Sequence, residues 1–302
     1  MVDNGRIEEL ARAYGLGEPL GPPAYAARGE LGRIWRLDTA SGTWAVKELL
    51  VPVEERDARA DVAFQLAAAA AGVRLPRPRP TLEGTVMCGG FRVYEWVDLA
   101  AGQQVTPAEL GAVTAGLHRV AHPASGPVIP WFSEPIGPAR WEALATAAAG
   151  EEWSPALDRL LPELVALDAL VVAPDPASLT TCHCDVNLEN VLRARDDGGV
   201  VVLDWENCGP ARPSWELAKI LADLPDAAAA YDAYRAAGGP GRLAEPADFS
   251  MAIAEQGHLL EFYIRRALSP QETDENRSRA RGRIGTMLGR PLTTARIDAL
   301  LA

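Results

Sequence analysis

The stretch His183-Cys184-Asp185-Val186-Asn187-Leu188-Glu189-Asn190-Val191-Leu192, followed by Val200-Val201-Val202-Leu203-Asp204-Trp205-Glu206, decides the reading of this 302-residue chain. Together the two runs spell H-x-D-x-x-x-x-N, a short hairpin, and an Asp at the end of an apolar strand. Phosphoryl transfer requires a carboxylate beside the attacking hydroxyl and oxygen ligands that hold Mg²⁺ against the phosphates. An Asp and an Asn five residues apart on one loop divide those tasks, and a second Asp on the neighbouring strand completes a metal site. Asp185 is therefore the expected base, and Asn190 and Asp204 the expected metal ligands. His183 is grouped with Asp185 in the catalytic loop, where its expected part is to brace the loop by hydrogen bonds. A polar turn with an Asp capping the next helix would read the same way, because short motifs recur by chance.

A second signal lies far upstream. Ala45-Val46-Lys47 sets a lysine on an alternating, apolar strand behind the turn Thr39-Ala40-Ser41-Gly42, where a kinase keeps the lysine that pairs the α- and β-phosphates. An edge-strand lysine facing water is the plain alternative. The segment Glu54–Ala71 reads as a helix, acidic at its start and closed by Gly72. Asp61 on that helix is the expected partner of Lys47, since Asp61, Phe64 and Ala68 share a side that faces the sheet. Gly32, in the loop Arg28–Arg33, is expected to lie over the triphosphate, although this loop holds only two glycines. The backbones of Glu95 and Val97 are expected to meet the adenine edge.

The chain divides in character. From Ala24 to about Trp96 it reads as strand-rich with one helix: a hairpin around Gly42, the helix 54–71, then a second hairpin from Thr85–Met87 and Phe91–Val97 around Gly89-Gly90. After Asp98 it reads as helical. Thr106-Pro107-Ala108-Glu109 is a capping box with Pro at the first helical position. Further helices are expected at Trp141–Ala148, Pro155–Leu167, Trp215–Leu224, Ala227–Ala237, Asp248–Leu268 and from Glu275 onward. The expected architecture is α+β and two-lobed: a small β-rich lobe (1–94), a connection (95–98) and a larger helical lobe (99–302).

With these residues in view the chain resembles the aminoglycoside phosphotransferase family of kinases, which share the protein-kinase-like fold. The resemblance runs through the lysine strand, Tyr94-Glu95-Trp96-Val97, the helix ending Leu117-His118, the catalytic loop and Leu203-Asp204-Trp205-Glu206. It implies ATP, Mg²⁺ and a small substrate carrying a hydroxyl, with Asp185, Asn190, Asp204 and Lys47 at the family's catalytic, metal and phosphate positions. Three features depart from the family pattern: Cys184 stands where Gly, Arg or Asn is expected, the nucleotide loop is poor in glycine, and Lys47 has no obvious Glu partner.

Rival readings are weaker. Cys182-His183-Cys184 with Cys208 is a poor chelate for tetrahedral zinc, and no second Cys/His pair follows at finger spacing. A nucleophilic Cys184, semi-exposed and served by His118 or His258, leaves Lys47, Asn190 and Asp204 unexplained. A non-catalytic nucleotide-binding module would be expected to lack one of those residues. The short path from Asp204 to a new helix near Ser214 leaves no room for the activation loop of a protein kinase.

Composition bounds partners more than chemistry. A formal net charge of −12 disfavours nucleic acid and anionic membranes and suits a cationic ligand. Neither a signal segment at Met1–Gly5 nor an apolar run of membrane length is evident, so a cytoplasmic protein with four reduced cysteines is expected. Asp98, Glu216, Glu255 and Glu261 are candidate carboxylates for a cationic acceptor, with Asp223, Asp274 and Glu275 behind them. A basic antibiotic such as an aminoglycoside is the first expectation. A metabolic sugar, amino alcohol or amino acid is the alternative.

Overall fold

The computed structural model describes residues 4–29 and 32–302; Glu30 and Leu31 of the expected nucleotide loop lie outside the described residues. The chain opens with α1 (Asn4–Tyr14). Ile7, Leu10, Ala11 and Tyr14 recur at helical spacing and are buried, packing with Leu37, Val46, Phe91 and Val93. Those four belong to a sheet built from β1 (Ala24–Arg28), β2 (Gly32–Thr39), β3 (Gly42–Leu49), β4 (Pro78–Arg79) and β5 (Phe91–Glu95). It is antiparallel throughout, in the order β1-β2-β3-β5-β4.

Between β3 and β4 runs α2 (Glu55–Ala70), ending two residues before Gly72, which takes a positive φ of 91°. Because side chains alternate across a strand, the residues beside Val46 and Val93 turn to the opposite sheet face. Lys47 and Arg92 are direct cross-strand partners there, and Arg92 pairs with α2.

The expected second hairpin is a correction. Residues 85–87 form no strand; only a single bridge joins Cys88 to Phe91 across Gly89-Gly90. The Val86 N–H donates to Glu55 Oε1 instead. The edge of β5 goes to Pro78-Arg79, an edge position being where a strand tolerates proline.

After β5 the chain is helical, with α3 (Pro107–Arg119), α4 (Pro138–Ala147), α5 (Ser154–Asp168), α6 (Pro213–Asp223), α7 (Ala227–Ala236), α8 (Ser250–Leu268), α9 (Asp274–Gly289) and α10 (Thr294–Leu301). The capping box of α3 forms: Glu109 N–H donates to Thr106 Oγ1, and Thr106 N–H to Glu109 Oε2. Arg193 also pairs with Glu109 at 2.6 Å. Its hydrogen bonds, ahead of those from Thr106, hold the Glu109 carboxyl down at about 2.

Two short ladders interrupt the helices: β6 (Thr180–Cys182) with β9 (Gly209–Ala211), and β7 (Val191–Arg193) with β8 (Val200–Val202). One apolar core joins α2 to the helical region and the β7–β8 ladder. Phe64 and Ala68 of α2 pack with Leu110, Val186, Val202, Trp205 and Leu217, fixing α2 against the segment after Asp204. No helix among the described residues is long and apolar enough to cross a membrane.

Candidate active site

The loop His183–Asn190 runs between β6 and β7, and the chain around Asp204 between β8 and β9. Backbone bonds tie them: Leu203 N–H donates to Asn190 O at 2.8 Å. His183 is fully buried; its Nε2 donates to Leu203 O at 3.0 Å and its Nδ1 accepts the Asp185 N–H. Burial holds this imidazole below its usual pKa, so the neutral form that this bonding needs is favoured. His183 braces the loop, and as a catalytic group it is corrected: it is walled off from any substrate.

Amides orient the Asp185 carboxylate. Asn187 Nδ2 donates to Oδ1 at 3.0 Å, Asn190 Nδ2 to Oδ2 at 2.9 Å, and Asn207 Nδ2 to Oδ2 at 3.3 Å. Asn190 Nδ2 also bonds the Asp185 carbonyl, so both its hydrogens face Asp185. The Asn190 amide oxygen accepts no protein hydrogen bond among the described residues, and it remains available to a cation.

Two of the three non-glycine residues with positive φ among those described are Cys184 (φ 64°) and Asp204 (φ 60°). Each left-handed residue with a Cβ costs about 1–2 kcal/mol, and such strain gathers at functional sites. Cys184 is held from α6: its N–H donates to Glu216 Oε1 at 2.5 Å, and its carbonyl accepts from Lys219 Nζ at 2.7 Å. The expected semi-exposed thiol is a correction, since Cys184 is fully buried. Burial, then Glu216, pushes that thiol well above its ordinary pKa, which removes the nucleophilic-cysteine reading.

Lys47 is also corrected in its partner. Nζ lies 2.8 Å from Asp204 Oδ1 and 2.7 Å from Glu206 Oε2. Asp61, the expected partner, pairs with Arg92 at 3.2 Å. The cause is the register: Arg92 stands directly opposite Lys47, and two buried cations side by side each need a carboxylate. The short Asp61 serves Arg92, while Glu206 approaches both Lys47 and, at 3.8 Å, Arg92. Burial works to raise the Glu206 carboxyl, but Lys47, Asp204 and Arg92 outweigh it and leave it lowered. Burial, then the neighbouring Glu206 carboxyl, pushes Asp204 up despite Lys47.

Gly32 leans on the same lysine. A Cβ there would come within 2.9 Å of Lys47 Cε and 3.0 Å of Glu48 O, so a side chain would crowd Lys47. At the strand end, the Glu95 N–H donates to Arg77 O, which leaves only its carbonyl for an adenine. The Val97 N–H has no protein acceptor among the described residues.

The four acceptor-side carboxylates separate. Glu216 is fully buried: its Oε2 bonds His118 Nε2 at 2.8 Å, and His118 Nδ1 meets the Tyr234 hydroxyl at 2.8 Å. It is a brace between α3, α7 and the catalytic loop, and as a substrate contact it is corrected. His118, Cys182 and Glu216 lie close enough to hold a metal, but both imidazole nitrogens and both carboxylate oxygens are already engaged. Glu261 is corrected too. It is flanked by Arg140 and Arg265, which leave no charge for a cationic ligand. Glu255 lies beside the site, 2.9 Å from Lys219; burial lifts it to about 7 against the pull of Lys219. Asp98 accepts from Trp96 Nε1 at 2.8 Å, with Arg36 at 4.0 Å. Trp141 is core, bonded to Asp168, whereas Trp131 stacks on His258 and meets Phe262 edge-on.

The sequence model of the phosphotransferase enzyme family abbreviated APH matches residues 25–249, which include Lys47, the catalytic loop and Asp204. The chain belongs to this family. It is a phosphotransferase of a family that acts on hydroxyl groups of small molecules. A search of curated proteins found no match. Among solved structures, the fold is similar to a spectinomycin phosphotransferase in complex with ADP and spectinomycin (TM-score 0.68, 16% identity, 98% of this chain and 96% of that one). It is also similar to a choline/ethanolamine kinase family protein from Mesorhizobium loti (TM-score 0.57, 20% identity, 100% and 99%). A third is the macrolide 2'-phosphotransferase of Brachybacterium faecium (TM-score 0.54, 20% identity, 95% and 98%). At such identities these likenesses establish the protein-kinase-like fold.

Within that phosphotransferase site, sequence reasoning missed Glu206, Asn187, Asn207 and Lys219. Glu206 alone left a signal, an acid two residues beyond Asp204. The others are ordinary polar residues whose part depends on the path of the backbone.

Proposed function

We propose that the chain transfers the γ-phosphate of Mg·ATP to a hydroxyl of a cationic small molecule, with Asp185 as base. The observation that carries this reading is one convergence: Lys47 beside Asp204, and Asn190 beside Asp185, on two backbone-linked segments. Asp204 and the amide oxygen of Asn190 offer hard oxygen donors, the type Mg²⁺ takes, so the residues present fit the ion. Bound Mg²⁺ would neutralise charge between the β- and γ-phosphates.

The chain's own residues do the rest. Lys47 binds the phosphates, Gly32 clears the space over that lysine, and the Glu95 carbonyl and Val97 N–H take the adenine edge in the connection 95–98. Asp185 accepts the acceptor's proton as its oxygen bonds to the γ-phosphorus and the bond to the bridging oxygen of ADP breaks. The three amides on its carboxylate hold the lone pair in one direction, so orientation is set before the acceptor arrives.

For the acceptor, a cation is supported by the net charge of −12 and by Asp223, exposed at the end of α6 with no ion pair to a neighbour among the described residues. A basic antibiotic such as an aminoglycoside is the first reading. An amino alcohol is the second, favoured by the likeness to a choline/ethanolamine kinase family protein over the full chain. ATP consumption is to be measured against aminoglycosides, macrolides, choline, amino alcohols and sugars. Turnover with an aminoglycoside and resistance in a sensitive host support the first; turnover confined to choline or amino alcohols replaces it with the second. Turnover with neutral sugars alone would overturn the cationic acceptor.

A further inference from the structure

Lys219 is a buried cation beside Asp185 that a phosphoryl-transfer scheme leaves without a task. It projects from α6 and is 6% exposed in its side chain. Nζ reaches three oxygens: the Cys184 carbonyl at 2.7 Å, Glu255 Oε1 at 2.9 Å and Asp185 Oδ1 at 3.6 Å. Glu216, three residues earlier and hence on the same helix face, holds the Cys184 N–H at 2.5 Å. Both peptide groups flanking the left-handed Cys184 are thus gripped by one turn of α6.

We propose that Lys219, anchored by Glu255, is a positioning residue for Asp185: it locks the strained Cys184–Asp185 peptide, a task glycine at 184 would make unnecessary. The inference rests on the kinase reading of the site. Left-handed backbone is free to glycine and strained for cysteine, so without a clamp residue 184 relaxes and rotates the Asp185 peptide. Glu255 holds the ammonium in place, and a buried charge without a partner would withdraw. Lys219 makes no hydrogen bond or ion pair to Asn190 or Asp204, so its loss acts on the base and not on the nucleotide.

The test uses the full chain with Lys219→Met, probed by Mg·ATP alone. Loss of the clamp is expected to lower kcat for slow Mg·ATP hydrolysis to water by about 10²-fold, with KM for Mg·ATP and the Mg·ATP-induced melting shift unchanged. Alkylation of Cys184 by iodoacetamide, separated from Cys182 by fragment ions, is expected to rise at least about fivefold through local opening. In a Cys184→Gly background the same Lys219→Met change is expected to alter kcat by less than about threefold, the non-additivity that marks a shared function.

An unchanged kcat with Cys184 still protected would overturn the proposal, and so would an equal kcat loss in the glycine background. If Lys219→Met does not fold, Glu255→Gln carries the same test, with Cys184 labelling expected to rise and an unchanged rate overturning the clamp. If no variant, nor the parent, binds Mg·ATP, the kinase reading fails, while Cys184 labelling still decides whether the clamp exists.

Discussion

Lys47 is paired with Glu206, Nζ to Oε2 at 2.7 Å, and not with an acid of α2. Its position on β3 opposite Arg92 makes that arrangement necessary, because Arg92 draws Asp61 to itself. One carboxylate two residues beyond Asp204 therefore orients the lysine proposed to bind the phosphates.

Glu206→Gln is accordingly expected to raise KM for Mg·ATP about tenfold or more, the worth of one charge-assisted bond. Asp61→Asn is expected to leave that KM within about threefold, because Asp61 acts on Arg92 alone. Initial rates over a range of Mg·ATP concentrations check both. Equal losses in the two variants would return Asp61 to the role that the sequence first gives it.

Asp185→Ala is expected to lower kcat about 10³-fold, within the range of a lost general base, while Mg·ATP still shifts the melting temperature. The reason is local: Asp185 is bonded to Asn187, Asn190 and Asn207, and Lys47 to other acids. Nucleotide titration by thermal melting separates the two effects, and a parallel loss of Mg·ATP binding would place Asp185 among the metal ligands instead.

Much of this architecture was legible from residue type and spacing. The loop His183–Asn190, the strand before Asp204, Lys47 and the capping box at Thr106 carry their geometry in local pattern. Helix α1 was legible too, for Ile7, Leu10, Ala11 and Tyr14 mark one helical face. The partners of Lys47 were not, because the choice between Asp61 and Glu206 depends on which cation stands across the sheet. Glu216 and Glu261 looked like ligands because a helix displays acids the same way whether they meet solvent, a histidine or two arginines.

Asp61 gives a pH signature in stability. Burial ahead of all else lifts its carboxyl to about 7, with Arg92 opposing and Glu206 adding to the rise. The folded chain therefore holds this proton more tightly than the unfolded chain does. Stability from this group is fully present below the unfolded value near 4 and is lost as pH rises toward 7. Comparing melts at pH 5 and pH 8, Asp61→Asn is expected to gain about 1–3 kcal/mol on the parent protein. Parallel pH profiles for the two proteins would refute the assignment.

The last prediction concerns the helix pair that carries the brace to the catalytic loop. On α3, a Cβ at Gly111 would overlap the carbonyl oxygen of Ala230 in α7 at 1.9 Å, whereas one at Gly116 would only touch Val73 Cγ2 at 3.7 Å. Backbone cannot yield as a side-chain tip does, so Gly111→Ala must push α7 from α3 and stretch the His118–Tyr234 bond. It is expected to cost about 3 kcal/mol, and to lower kcat because His118 holds the Glu216 that grips Cys184. Gly116→Ala, on the same helix, is expected to be stabilising by up to about 1 kcal/mol through helix propensity. Denaturant melts of the two variants set side by side check the difference; equal stabilities would mean that α3 and α7 do not cross as closely as Gly111 allows.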